Sequence, residues 1–287
     1  MRQLTGEYPA AAQILEQALG IYRDLGDRLG QANALNYLGN VLQLTGEYPA
    51  AAHVLEQALD IYRDLGDRLG QAYALRYLAD VRRATGDYPA AAQDLEQALA
   101  ISRDLGNRFG QAWALLYLGI VRRATGDYPA AAHDLEQALG ISRDLGDRFG
   151  QAWALLYLGF VRRATGDYPA AALALEQALG ILRDLGHRGG EVQALNERGT
   201  LHRVTGDLTQ AEGCHRRALD LARTIDSSWN EAQALAGLGR WGLAAGHATQ
   251  AEALLRQALE IYQQLGAAEA GEVSRELAAL TEAGPPA

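Results

Sequence analysis

Thr45-Gly46-Glu47-Tyr48-Pro49-Ala50-Ala51-Ala52 decides how the chain is read, because this octapeptide returns at a spacing of forty residues. It stands again at 5–12 and, with Asp in place of Glu, at 85–92, 125–132 and 165–172, and it decays at 205–211 and 245–251. Segments 81–120 and 121–160 differ at only four of forty aligned positions: Gln93/His133, Ala100/Gly140, Asn107/Asp147 and Ile120/Phe160. A period of this size marks an array of stacked helical or strand units, each touching its neighbours, rather than a globule around one centre. The 287 residues are therefore expected to form one elongated domain. It would hold an incomplete first unit at 1–26, six full units over 27–266, and a closing helix and tail at 267–287.

Within the unit 27–66, Leu35, Leu38 and Leu42 recur at steps of three and four, and so do Ala51, Leu55, Ala58, Leu59 and Tyr62. That is the helical period, not the period of a strand. Gly46 ends the first helix, and Pro49 suits the first turn of the second, where a missing N–H costs nothing. Gly66 suits a left-handed C-cap, and Asp67 can cap the next helix at once. The spacing predicts helix A over 28–44 and helix B over 49–65. Loops this short make the two antiparallel neighbours. Gly39 and Ala51 are small where the axes must approach most closely; Gly119, Gly159, Gly199 and Gly239 repeat the device, and Ala79 nearly does. Glycine inside a helix costs about 1 kcal/mol against alanine. Close packing is the reason to keep it.

Leu38-Gly39, Gly46-Glu47-Tyr48, Ala51, Leu55 and Ala58-Leu59 resemble the tetratricopeptide repeat. The usual unit of that family has about 34 residues. Here each unit is six longer, and the addition lies at R-D-L-G-D-R-x-G-Q. This is similar to the forty-residue subfamily found in spindle-orientation adaptors and in C-terminal regions of bacterial, including actinobacterial, regulators. The resemblance covers nearly the whole chain. It implies an all-α fold, a right-handed α-solenoid of antiparallel helix pairs with about fourteen helices. It also implies a concave groove, lined by the A helices, that binds peptides or proteins.

The first helix reads as an unpaired helix B over about 9–25, and the last as a helix A over about 269–281 before Gly284-Pro285-Pro286-Ala287. An unpaired first helix leaves an apolar face that upstream sequence or a second subunit would cover. The divergent, more polar last two units read as a cap.

Helical phase separates the core-facing leucines of helix A from an open face. That face reads Asn33, Asn36, Tyr37 and Asn40 in the first full unit, then Tyr73, Arg76, Tyr77 and Asp80. Trp113, Leu116, Tyr117 and Ile120 follow, then Trp153, Leu156, Tyr157 and Phe160. The last two sets are Gln193, Asn196, Glu197 and Thr200, and Gln233, Ala236, Gly237 and Arg240. The face is thus polar, then aromatic and apolar, then polar again. Near the helix ends stand Gln43, Arg83, Arg123, Arg163, Arg203 and Leu243, four of them arginines in a row. Units spaced by roughly the ~8–10 Å Debye length let such charges act partly together. The expected partner is a protein or peptide segment with apolar anchors and acidic flanks, since Trp, Tyr and Arg dominate interface energetics. Three readings stay open beside it. Trp113 and Trp153 could pack wholly against the next repeat. The apolar middle could pair with a second copy of the chain. The central aromatics could also hold a small molecule. Arg82, Arg122 and Arg162 fall on the core side and are expected to form structural ion pairs, with Asp94 and Asp134 among the partners.

Several function classes have no support. The chain carries −9 net charge and no lysine, which disfavours nucleic acid and membrane surfaces as partners. No apolar run reaches the ~18 residues of a membrane helix. Cys214 is the sole cysteine, so neither an internal disulfide nor a thiolate zinc site can form. Without lysine there is no phosphate-binding loop, and no dinucleotide fingerprint is present. His53 and His133 share a register two units apart, while His187, His202, His215 and His247 show no i, i+4 pairing. No metal, cofactor or catalytic activity is expected, because the carboxylates recur with the repeat as caps and solvated faces do. The opening residues lack a signal-peptide pattern, and a bacterial cytoplasm is the expected setting.

Overall fold

The computed structural model describes residues 2–267 and 269–282, with side chains from 8 to 280 within those limits. The described residues form fourteen helices. The first seven are α1 (Arg2–Asp24), α2 (Arg28–Leu44), α3 (Tyr48–Leu65), α4 (Arg68–Ala84), α5 (Tyr88–Asp104), α6 (Arg108–Ala124) and α7 (Tyr128–Asp144). Then come α8 (Arg148–Ala164), α9 (Tyr168–Asp184), α10 (Arg188–Val204), α11 (Leu208–Thr224), α12 (Ser228–Ala244), α13 (Ala248–Gln264) and α14 (Glu269–Glu282). The chain divides into two compact units, Met1–Tyr157 and Leu158–Ala287. Each is a stack of antiparallel helix pairs, the all-α arrangement expected from the period. Among the described residues no helix is long and apolar enough to cross a membrane.

The caps explain why the helices start where they do. Asp27, Asp67 and Asn107 each accept a hydrogen bond from the backbone N–H three residues on, at 2.9, 3.0 and 3.0 Å. Asp87 and Asp127 do the same for the B helices, at 3.2 and 3.1 Å. These bonds satisfy donors that a helix start otherwise leaves without partners. The turns require a left-handed residue: φ is +84° at Gly46 and +69° at Gly66. Asp226 takes this place in the second unit at φ +51°, alone among the described non-glycine residues.

Small residues set the closest approach of paired helices. A Cβ on Gly119 of α6 would stand 2.5 Å from Leu135 Cγ of α7. In the second unit, one on Gly239 would stand 2.6 Å from Leu255 Cγ. The core between the helices is built from leucine and alanine; Leu55, Leu135, Leu175 and Leu255 are all fully buried. Arg82 and Arg122 pair as their positions predicted, with Asp94 and Asp134, each at 2.7 Å. Burial still wins over Arg82 at Asp94 and pushes its carboxyl up to about 6.

The first helix departs from the expectation. It runs from Arg2, through Gly6 and Pro9, rather than starting near residue 9. The octapeptide that turns at 45–52 is helical at 5–12. Gly6 is not among the glycines with positive φ, whereas Gly46 is. The turn at Gly46 joins α2 to α3, which pack along each other. Gly284-Pro285-Pro286-Ala287 lies outside the described residues.

Candidate functional site

In the first unit the A helices α4, α6 and α8 carry aromatic residues at steps of four. Phe109, Trp113 and Tyr117 lie on one stripe of α6, because residues four apart share a helix face. Phe149, Trp153 and Tyr157 repeat the stripe on α8. Ring centroids stand 6.0 Å apart for Phe109–Trp113, 5.9 Å for Trp113–Phe149 and 6.0 Å for Phe149–Trp153. Trp113–Tyr117 and Trp153–Tyr157 are both at 6.2 Å. These spacings fall in the range of favourable aromatic pairs. Phe109 and Phe149 were not among the residues expected at the site. One more step of four back from Trp113 and Trp153 along the same face would have found them.

Two cavities open beside this ladder. The larger, of about 350 Å³, is lined by Tyr73, Arg76, Tyr77, Ser102, Phe109, Trp113, Tyr117 and Phe149 among others. The second, of about 220 Å³, is lined by Asp80, Arg83, Trp113, Leu116, Tyr117, Ile120, Phe149, Trp153 and Tyr157. Trp113 belongs to both, and its buried Nε1–H has no acceptor in the structure. A buried donor without a partner costs about 1–3 kcal/mol.

Charge is distributed less simply than the row of arginines implied. Arg83 is held by Asp80 at 2.6 Å. Burial works against its charge, but Asp80 outweighs burial and raises its pKa. Asp80 also accepts from Gln43 Nε2. Arg163, in the second unit, is bound by the buried Glu197. These two guanidinium groups therefore already have a carboxylate of the chain beside them. Arg76 differs. Its guanidinium lies 4.1 Å from the Tyr77 ring centroid and 5.7 Å from that of Tyr117, with no ion-pair partner among the described residues. Arg123 lies 5.8 Å from the Tyr157 ring centroid. Burial, then the charge of Asp80, pushes the Tyr117 hydroxyl up to about 12. Burial raises Tyr157 as well.

The aromatic residues are half-buried: Trp113, Tyr117, Trp153, Tyr157 and Phe160 are neither sealed nor free, while Tyr73 is exposed. Leu116 (3% exposed), Leu156 (0%) and Ile120 (7%) depart from the open face expected of them. Leu116 and Ile120 form cavity floor, and Leu156 belongs to the core. The helix stripe turned away from helix B is narrower than helical phase alone implied.

In the second unit the corresponding face is polar and tied up internally. Asn196 is buried, donates to Gln233 Oε1 at 3.2 Å and meets His215 Nδ1 at 3.1 Å. This too corrects its expected place in an open groove. His215 stands on α11 where other B helices carry Leu55, Leu135 or Leu255, and it is 1% exposed. Its Nε2 is buried without a partner. Burial, reinforced by Arg203 and Arg240, lowers its pKa to about 3. Arg240 is held by Glu276 at 2.8 Å and Glu272 at 3.0 Å. Burial, Arg240 and Arg163 in turn lower the pKa of Arg203.

A sequence profile described as the tetratricopeptide repeat matches residues 1–64, 110–184 and 191–264, and a second of the same description matches 74–109. No curated protein matches the chain in sequence. Among solved structures, the apo form of RapI is similar with a TM-score of 0.73 at 15% identity, over 92% of this chain and 97% of that one. BtubC (BKLC) from P. vanneervenii is similar with a TM-score of 0.62 at 21% identity, over 75% of this chain and 91% of that one. The Rap conjugation gene regulator of plasmid pLS20, solved in complex with the Phr* peptide, has a TM-score of 0.66 at 16% identity, over 88% and 74%.

Proposed function

The chain belongs to the tetratricopeptide repeat family, and from that premise we propose that it is a non-enzymatic interaction scaffold. In this reading its first unit binds a peptide or protein segment along the aromatic face of α4, α6 and α8. The observation that carries it is the ladder Phe109–Trp113–Phe149–Trp153 beside two open cavities, with a Trp113 N–H that lacks an acceptor. A segment with apolar anchors would fill the cavities. Arg76 favours an acidic residue near the anchor. A Rap regulator of similar fold holds a peptide, which lends the reading support. Fold alone does not assign a ligand, so the residues of the face carry the argument.

The test is a fluorescence titration of the full chain with short acidic peptides that contain aromatic residues. Trp113→Ala combined with Trp153→Ala should lose at least about 2 kcal/mol of binding, a weakening of roughly thirtyfold. Arg76→Glu should weaken acidic peptides more than neutral ones. If the double variant stays helical and binds like the parent, the assignment of this face is wrong.

A second reading rests on α1, where Ile14 (65% exposed) and Ile21 (59%) leave apolar surface open, with Leu25 (72%) just beyond the helix end. Surfaces of this kind mark protein contacts, and a second copy of the chain could cover it. Light scattering across a hundredfold range of concentration would detect that association; a constant monomer mass would remove it.

A further inference from the structure

The repeat itself records what fits the deep end of the larger cavity. On α3, Tyr62 is 2% exposed. Its ring lies against Gly70, where an added Cβ would run into it. Its hydroxyl donates to Asn33 Oδ1 at 2.8 Å. The charge of Asp67 also bears on it. Moved by one period of forty residues, Tyr62 becomes Ser102, Gly70 becomes Gly110, Asn33 becomes Tyr73 and Asp67 becomes Asn107. Those four residues all line the 350 Å³ cavity. The chain has therefore kept the glycine that faces a buried phenol, with polar side chains still at the other two places, while removing the phenol. Ser102 supplies a hydroxymethyl group where Tyr62 supplies a ring, and the space appears as the cavity.

We propose that this slot receives a tyrosine side chain of the bound segment, held as Tyr62 is held one repeat earlier. The proposal rests on reading the aromatic face as a segment-binding site and names that segment's anchor. Ala72 and Ala98 give the slot an apolar floor, and Phe109 and Trp113 flank it. The Tyr73 hydroxyl is a polar partner for a phenol at the place where Asn33 accepts from Tyr62, and the Asn107 amide lines the same cavity. An aliphatic anchor forgoes that hydrogen bond. Arg76 at the same cavity repels a cationic anchor and favours acidic neighbours around the tyrosine.

The experiment compares the full chain with Ser102→Tyr by calorimetric titration. The probes are an acidic pentapeptide with a central tyrosine, the same peptide with alanine at that place, and p-cresol. The parent should bind the tyrosine peptide at least tenfold more tightly than the alanine peptide, and p-cresol only in the millimolar range, as few atoms allow. Ser102→Tyr should fold with a midpoint at or above that of the parent, since it recreates the residue of an adjacent repeat, and should lose the tyrosine preference. Should it lose its helical signal, Ser102→Leu places there the residue found at Leu182, and it is read in the same way. Equal affinity of parent and filled variant for the tyrosine peptide overturns the slot. So does equal affinity of the parent for the two peptides. In either case the groove assignment stands or falls separately on the Trp113 and Trp153 double variant. If p-cresol binds as tightly as the tyrosine peptide, the occupant is a free phenol rather than a segment, and the proposal fails.

Discussion

His215→Leu separates the acid sensitivity of the second unit from everything else in it. The imidazole sits at 1% exposure against Gly199 and Gly237, with Arg203 and Arg240 adding repulsion to any proton it gains. Its pKa in the folded chain is about 3, against about 6.5 in an unfolded chain. The folded pKa is the lower one, so between these two values the unfolded state binds a proton that the folded state refuses. Stability therefore falls as pH drops from 6.5 towards 3. At pH 5 the unfolded form is favoured by about 1.5 pKa units' worth, or about 2 kcal/mol at 1.36 kcal/mol per unit. For a unit of this size that is roughly 7 °C in midpoint. At pH 7 the substitution should be close to neutral. It frees the chain of the orphaned Nε2, yet leaves the Asn196 oxygen without its partner. These two effects are each about 1–3 kcal/mol and opposite in sign. The assay is urea unfolding of both proteins at pH 7 and pH 5, followed by far-ultraviolet circular dichroism. The parent should lose about 2 kcal/mol more than the variant over that range. Equal losses would show that His215 is not held neutral by its site, and the reasoning would fail.

Asp226 takes a left-handed conformation where Gly66 and Gly266 stand in other repeats. Asp226→Gly should stabilise the second unit by about 0.5–1 kcal/mol, seen as a higher urea midpoint with an unchanged slope. Gly119→Ala gains about 1 kcal/mol of helix propensity but places a methyl 2.5 Å from Leu135 Cγ. Overpacking costs about 1–3 kcal/mol, so the net effect in thermal unfolding should be destabilising. Asp134→Ala removes the buried partner of Arg122. It should cost about 1–3 kcal/mol and leave peptide affinity unchanged, because neither residue lines the aromatic cavities.

The helices were legible in the sequence because helix formation is a local matter. Gly46, Pro49, Gly66 and Asp67 act through their own backbone conformation or through donors three residues away. The spacing of Leu35, Leu38 and Leu42 gives the buried side, and loops too short to reach elsewhere give the pairing. Much of the candidate site was legible for the same reason, since Trp113, Tyr117, Trp153 and Tyr157 share a face by helical phase. The inward turn of Leu116, Leu156 and Asn196 was not, because burial depends on packing between helices and not on phase along one; Asn196, for example, is closed in by Gln233 of the next A helix.

What only the tertiary structure decided involves residues far apart in the chain. Arg163 is spent on Glu197, thirty-four residues away, whereas Arg76, on the same kind of helix, is left over aromatic rings. The sequence shows both arginines as identical cations, since pairing depends on distances between helices that no local rule contains. The octapeptide at 5–12 continues a helix while its copy at 45–52 turns. Gly46 adopts its left-handed φ where α2 and α3, packed along each other, draw the chain back. The cavity beside Ser102 is likewise the absence of a side chain among elements that converge only after folding. Chain chemistry thus settled which segments are helical and how they repeat. Packing alone settled which charges remain to be used and where space is left open.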